Sequence, residues 1–246
     1  MRNRLMRLLL LLAALLPLRA FGKSAVDAPH VRVELVAREA LTPGHEVKLG
    51  LHFVLEKGWH VYWSNPGDSG EAPQVRWQLA PGAEKSIQID PLQFPTPHRI
   101  VVGPLANYGY EGEVLLLSTL HASSEAGPLG RTALPLSAEV TWLVCEETCI
   151  PGKAQLSIEL PIRAAPEAPA SDVAAQFAAA ERALPAPTPA SWQLSGTLSA
   201  SHFEISVDLG AEEKPVRAQF FPLDANQIEN AQDQPMSVNR STLTLR

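Results

Sequence analysis

Val31-Arg32-Val33-Glu34-Leu35-Val36 and Val47-Lys48-Leu49-Gly50-Leu51-His52-Phe53 decide the fold class. Each alternates apolar and polar residues at period two, the pattern of a strand with one face buried. Further strands are expected at Val75 to Leu79, Ile87 to Ile89, Val114 to Leu120, Ala138 to Val144 and Ala154 to Leu160. Turn signals punctuate them at Pro43-Gly44, Pro66-Gly67, Pro81-Gly82, Gly127-Pro128 and Pro151-Gly152. Seven short strands between about Val31 and Pro161 predict an all-β, immunoglobulin-like β-sandwich. The two distant cysteines that bridge the sheets of an antibody domain are missing.

Composition agrees. The chain has 246 residues, 46% of them hydrophobic and 19% charged, enough apolar material for a core. Its 22 prolines, well above the usual ~5%, disfavour a helical bundle and suit short strands and loops. The chain opens with a secretory signal pattern: Arg2, Arg4 and Arg7, an apolar run from Leu8 to Leu16, then Ala20-Phe21-Gly22. The run is short of the ~20 residues a spanning helix needs. Removing residues 1–22 takes away four arginines and no acid, moving the formal charge from −6 to −10. An acidic protein of this kind argues against nucleic acid as a partner. Export places the two cysteines where a disulfide can persist.

Beyond the strand region the chain changes character. Residues 164–190 hold twelve alanines and five prolines and read as a linker around a short helix, capped by Ser171, running through Ala183 and ended by Pro185. Strand patterns resume at Trp192 to Leu198, Phe203 to Leu209, Val216 to Phe221 and Ser241 to Leu245. The expected layout is therefore a signal peptide (1–22), a first β domain (23–163), the linker (164–190) and a second β domain (191–246). The last, ending in Thr242-Leu243-Thr244-Leu245-Arg246, reads as half a sandwich and as the front of a longer polypeptide, the alternative being that its strands pair with the first domain.

Chemistry concentrates in Leu143-Val144-Cys145-Glu146-Glu147-Thr148-Cys149-Ile150-Pro151-Gly152. A strand leads in and a Pro-Gly turn is expected to lead to the next. Cysteines four apart on a turn can approach within the ~4.4–6.8 Å between Cα atoms that a disulfide requires. As a staple the bridge is poor: closing a five-residue loop contributes about 2 kcal/mol, against about 4.7 for a hundred-residue loop. Small bridges on exposed loops tend to be reducible. Glu146 and Glu147 disfavour a thiolate nearby, and no Lys, Arg or His is adjacent to favour one. Spacing leaves three readings open: a redox-active pair, a structural bridge, or two soft metal ligands. The seven histidines lack ligand spacing, and beyond residue 22 only Met236 remains, so no methionine-rich copper tract exists.

Other residues have ordinary readings. Trp59 and Trp63 suit core or interface packing. Asn107 to Gly112 reads as a loop bearing Tyr108 and Tyr110. His60 invites a role as proton acceptor for a thiol, but a lone histidine at a strand end is expected to face solvent. Asp68 is expected to serve the Asn65-Pro66-Gly67 turn.

Gly58-Trp59-His60-Val61-Tyr62-Trp63-Ser64-Asn65-Pro66-Gly67-Asp68-Ser69-Gly70 resembles the amino-terminal periplasmic domain of the DsbD family of thiol:disulfide interchange proteins, most of all the branch containing the suppressor-of-copper-sensitivity protein ScsB. Phe94-Pro95-Thr96-Pro97, Tyr108-Gly109-Tyr110 and the cysteine segment fit as well. Phe220-Phe221-Pro222 and Ile228-Glu229-Asn230-Ala231 look like that branch's second β domain. The resemblance implies one reactive pair, Cys145 and Cys149, with no cofactor. It implies electrons arriving from a membrane electron-transfer domain through a thioredoxin-like domain and leaving to periplasmic thiol–disulfide partner proteins. It implies an exported, periplasmic location, the full-length parent being anchored in the inner membrane. Tyr108 and Gly109 match the family's cap loop, which shields the pair; Tyr62 and Tyr110 are further shielding candidates. Two departures stand out: three residues rather than five separate the cysteines, and Asn107 replaces an aromatic before the Tyr-Gly. The rival readings are a non-catalytic β-sandwich binding module with a structural disulfide, and a copper-tolerance accessory protein.

Overall fold

The computed structural model describes residues 23–126, 132–199, 202–210 and 215–246. The signal segment 1–22 and the Gly127-Pro128 turn lie outside these residues. The expected strands form, several of them longer than the alternation suggests. They are β1 (Ala25–Ala28), β2 (Val31–Ala37), β3 (Glu46–Leu55), β4 (His60–Gly67), β5 (Gln74–Leu79), β6 (Ile87–Ile89), β7 (His98–Val102), β8 (Leu105–Glu111), β9 (Glu113–Ala122), β10 (Ala133–Cys145) and β11 (Cys149–Pro161).

These pack as an immunoglobulin-like sandwich. One sheet runs β1-β2-β3-β9-β6, the other β11-β10-β4-β8-β7. Every pairing between these strands is antiparallel. The β10 edge is shared: β5 pairs with it from Leu136 to Thr141, whereas β4 meets it only where His60 stands opposite Cys145. Inward residues such as Val33, Phe53, Val61, Trp63, Leu116, Val140, Trp142 and Val144 make the core between the sheets. Burying them supplies the main driving force for folding.

Two turn readings are corrected. Pro66-Gly67 lies at the end of β4, and Pro151-Gly152 lies inside β11. The β10–β11 connection is Glu146-Glu147-Thr148 instead, because the ladder continues unbroken to the Cys145/Cys149 pair. The supposed loop 107–112 is also corrected: Asn107 to Glu111 belong to β8, held between β4 and β7.

The segment 164–190 does more than link. Its helix, α1 (Ser171–Ala183), has Ala170 at the N-cap without a side-chain cap, so Ser171 is the first helical residue rather than the cap. Phe177, fully buried, packs with Ala180 on Leu115 and Leu117 of β9. That explains why β9 is buried on both faces: Leu116 and Leu120 point inward, and the helix covers the opposite side. Arg38 donates to Glu181 at 2.8 Å, and the Thr96 amide donates to the Ala183 carbonyl at 3.0 Å, pinning the helix in place. Leu184 is extended, as the residue before Pro185 must be.

The C-terminal region forms its own sheet of β12 (Gln193–Leu198), β13 (Phe203–Asp208), β14 (Met236–Asn239) and β15 (Thr242–Leu245), in the order β12-β13-β15-β14. The strand expected at Val216 to Phe221 does not form. This stretch instead delivers Phe220 to the small core of this sheet and Phe221 to the core of the sandwich.

Candidate functional site

Cys145 ends β10, Cys149 begins β11, and the two close a disulfide with Cα atoms 4.2 Å apart. The hairpin ladder fixes them as its terminal cross-strand pair, so the three-residue connection brings them into register without further help. Their surroundings differ. Cys145 is buried, with 1% of its surface exposed, while Cys149 lies on the exposed rim. An incoming thiol therefore meets Cys149 first.

Period-two alternation sorts the neighbours. On β4, Val61 and Trp63 point into the sandwich core. His60 and Tyr62 point the other way, onto the face where the disulfide lies. The Tyr62 hydroxyl is 3.4 Å from Cys149 Sγ and, with the disulfide closed, is the partner that carries the proton. Burial pushes the phenol above its ordinary pKa, partly offset by a hydrogen bond with Ser69, so it stays a donor. Gly70 explains how the ring is covered. It sits at φ 96°, and a Cβ there would fall 2.1 Å from the Tyr62 ring, so only glycine lets this loop lie on the tyrosine.

Tyr108 and Tyr110 occupy the opposite face of the sheet. Both belong to the sandwich core. Tyr110 donates to the Pro95 carbonyl at 2.7 Å, which accounts for the Phe94-Pro95 motif. Tyr108 donates to Asn230 Oδ1 at 2.9 Å and packs edge-on against Trp63 and Phe221. Among the described tyrosines, Tyr62 is thus the one against the disulfide, and Tyr108 meets Asn230 of the C-terminal region. Gly109, between the two tyrosines, faces Tyr62 across the ladder; a Cβ there would lie 2.2 Å from the Val61 carbonyl oxygen. Its role is close backbone approach, not the bending of a loop.

His60 is corrected from a solvent-facing residue to one that is 1% exposed. It stands opposite Cys145, and its ring lies 5.1 Å from that of Tyr62, edge to face. Asp68 is corrected too. At the end of β4 Asn65 Oδ1 accepts from the Gly67 amide, whereas Asp68 accepts from the Ala106 amide and from Asn230 Nδ2, each at 2.7 Å. Asn230, buried in the C-terminal region, therefore joins Tyr108 to Asp68, and Arg99 donates to its carbonyl. Sequence reasoning missed this clamp. Its signal was the pairing of Tyr108 with a distant Ile228-Glu229-Asn230-Ala231. Among the described residues, no group of three or more His, Cys, Asp or Glu is arranged to hold a metal ion.

The fold and site are those of a β-sandwich that carries a disulfide at the tip of one hairpin, beside a tyrosine hydroxyl and a buried imidazole. Residues 31–161, more than half the chain, match the family "Thiol:disulfide interchange protein DsbD, N-terminal", and the chain belongs to that family. In fold it is similar to the N-terminal periplasmic domain of ScsB from Proteus mirabilis, with a TM-score of 0.66 at 20% identity, over 91% of this chain and 83% of that one. Much weaker is the similarity to the GAE domain of GGA2p from Saccharomyces cerevisiae, with a TM-score of 0.32 at 12% identity, over 56% of this chain and 99% of that one. No curated protein matches the chain. Among the described residues, no helix is long and apolar enough to cross a membrane.

Proposed function

We propose that this chain is an exported protein-disulfide reductase module, which takes electrons from a thioredoxin-like domain fed by a membrane electron-transfer domain and passes them to periplasmic partner proteins. The observation that carries the reading is the asymmetry of the pair: one cysteine exposed, one buried, on a single hairpin tip. In the reduced form, Cys149 attacks the partner's disulfide and forms a mixed disulfide. Cys145 then attacks Cys149 Sγ and releases the partner as a dithiol. Tyr62 is the shielding residue. Tyr108, Gly109 and Tyr110 support it indirectly, by fixing the strand beside β4. The rival, a binding module with a structural bridge, is opposed by how little a five-residue loop stabilises: about 2 kcal/mol.

A trapping experiment tests this. Cys145→Ser, mixed with an oxidised thioredoxin-like protein, is expected to accumulate a mixed disulfide through Cys149, and Cys149→Ser is expected to trap little. Trapping by neither variant, or by Cys149→Ser alone, would contradict the assignment.

A further inference from the structure

His60 is buried, yet its Nε2 is shielded from solvent and has no hydrogen-bond partner. A buried polar atom without a partner is uncommon in a folded protein and calls for a reason. The residue directly across the ladder supplies one. His60 pairs with Cys145, the only register point between β4 and β10. Opposite residues of an antiparallel pair project to the same side with Cβ atoms roughly 4.5–5.5 Å apart. While the disulfide is closed, Cys145 has no proton to offer. Once it opens, Cys145 becomes a thiol, a donor directly across the ladder from this imidazole.

We propose that His60 accepts the proton of Cys145 in the step that resolves the mixed disulfide. The inference rests on the exchange reading above and assigns a group that reading does not use. In the mixed disulfide, Cys149 Sγ is bonded to the partner's sulfur and Cys145 is a thiol. The Cys145 proton moves to His60 Nε2 as Cys145 Sγ attacks Cys149 Sγ. The Cys145–Cys149 bond forms, the bond from Cys149 to the partner breaks, and the partner sulfur leaves as a thiolate with the electron pair. The imidazolium then returns its proton to that thiolate or to water. Two electrons have passed to the partner, and the site is again a disulfide beside a neutral imidazole. Burial lowers the His60 pKa, which keeps the ring neutral and its lone pair free. The groups facing it are Cys145 from β10, Glu111 opposite on β8, and Tyr62 on its own strand. Glu111 is the charged member, on the exposed end of β8.

The test uses the full chain, reduced and mixed with one equivalent of 5,5′-dithiobis(2-nitrobenzoate) in a stopped-flow instrument. Attack by Cys149 releases a first thionitrobenzoate, and resolution by Cys145 releases a second. His60→Phe and His60→Gln are each expected to slow the second release at least about a hundredfold at pH 7, the lower end of what general base catalysis supplies, with the first release within about twofold of the parent. The parent's second phase should be flat with pH above the lowered imidazole pKa; in the variants it should climb about tenfold per pH unit toward the thiol pKa. A second phase unchanged in rate and pH slope in either variant overturns the proposal. His60→Gln carries the measurement if His60→Phe does not fold. Release of only one equivalent by the parent would count against the exchange reading itself.

Discussion

Tyr62 and His60 make the disulfide's environment, and each has a separable consequence. With its hydroxyl 3.4 Å from Cys149 Sγ and its ring under Gly70, Tyr62 restricts approach to the exposed sulfur. Tyr62→Ala should speed the reaction of reduced Cys149 with a small disulfide reagent several-fold, whereas Tyr108→Ala should leave it unchanged, since Tyr108 faces the core. Equal rates for Tyr62→Ala and the parent would remove Tyr62 as a shield. His60 leaves a mark on stability as well. Its folded pKa lies below the 6.5 of the free side chain because burial disfavours the charged form. Between those two values the unfolded chain binds a proton that the folded chain does not. Stability is therefore full above about pH 6.5 and falls as the pH drops toward the lowered value. His121, raised chiefly by its hydrogen bond to Asp90, has the opposite sign: its contribution is present below pH 6.5 and fades as the pH rises through its folded pKa. Urea unfolding between pH 7 and pH 5 should show a shallower acid-side loss in His60→Phe than in the parent. An identical slope would mean that His60 is not buried as a neutral ring.

At the scale of elements, the helix is the least expected support. Phe177 is fully buried against Leu115 and Leu117. Phe177→Ala should cost about 3–5 kcal/mol, a fall in Tm of roughly 6–20 °C for a chain of this size, measured by thermal unfolding. A fall of a degree or two would mean that the helix is only tethered. Period two made β2, β3 and β10 legible in the sequence because each has one face in the core and runs long enough to show it, whereas β9 reads as an apolar run, Val114 to Leu117, because the helix buries its second face. Strands β4 and β8 were harder to read. His60, Tyr62, Asn107 and Tyr108 are polar or amphipathic yet buried, so the alternation disappears where the site is built. Residues 164–190 read as a linker because an alanine-rich helix with a single phenylalanine shows little apolar stripe; its one anchor needs the outer face of β9 to be recognised. The cysteine pair was legible from spacing, but which sulfur is exposed depends on the face each strand presents.

On the scale of the whole molecule, Asn230 clamps the two β units through Tyr108 and Asp68. Asp68 opens the segment Asp68-Ser69-Gly70 that covers Tyr62, so the clamp and the cover share a loop. Asn230→Ala leaves the buried Tyr108 hydroxyl without its acceptor and Asp68 Oδ1 without its Asn230 donor, at about 1–3 kcal/mol. It should make the segment between the two units cut faster in limited proteolysis; an unchanged cutting rate would argue that the apolar contact of Phe221 suffices. The fold itself should not need the disulfide. Replacing both cysteines with serine costs about 2 kcal/mol of a typical 5–15 kcal/mol, so the double variant should keep its β circular dichroism and lose exchange activity. The central claim is that Cys145–Cys149 is a working redox couple rather than a staple. It is tested most directly by the pair's reduction potential, read from alkylated fractions after equilibration with glutathione buffers. The account predicts a potential within the glutathione range, with both cysteines alkylated together in reducing mixtures; a pair still closed at about −300 mV, the region of structural bridges, would contradict it.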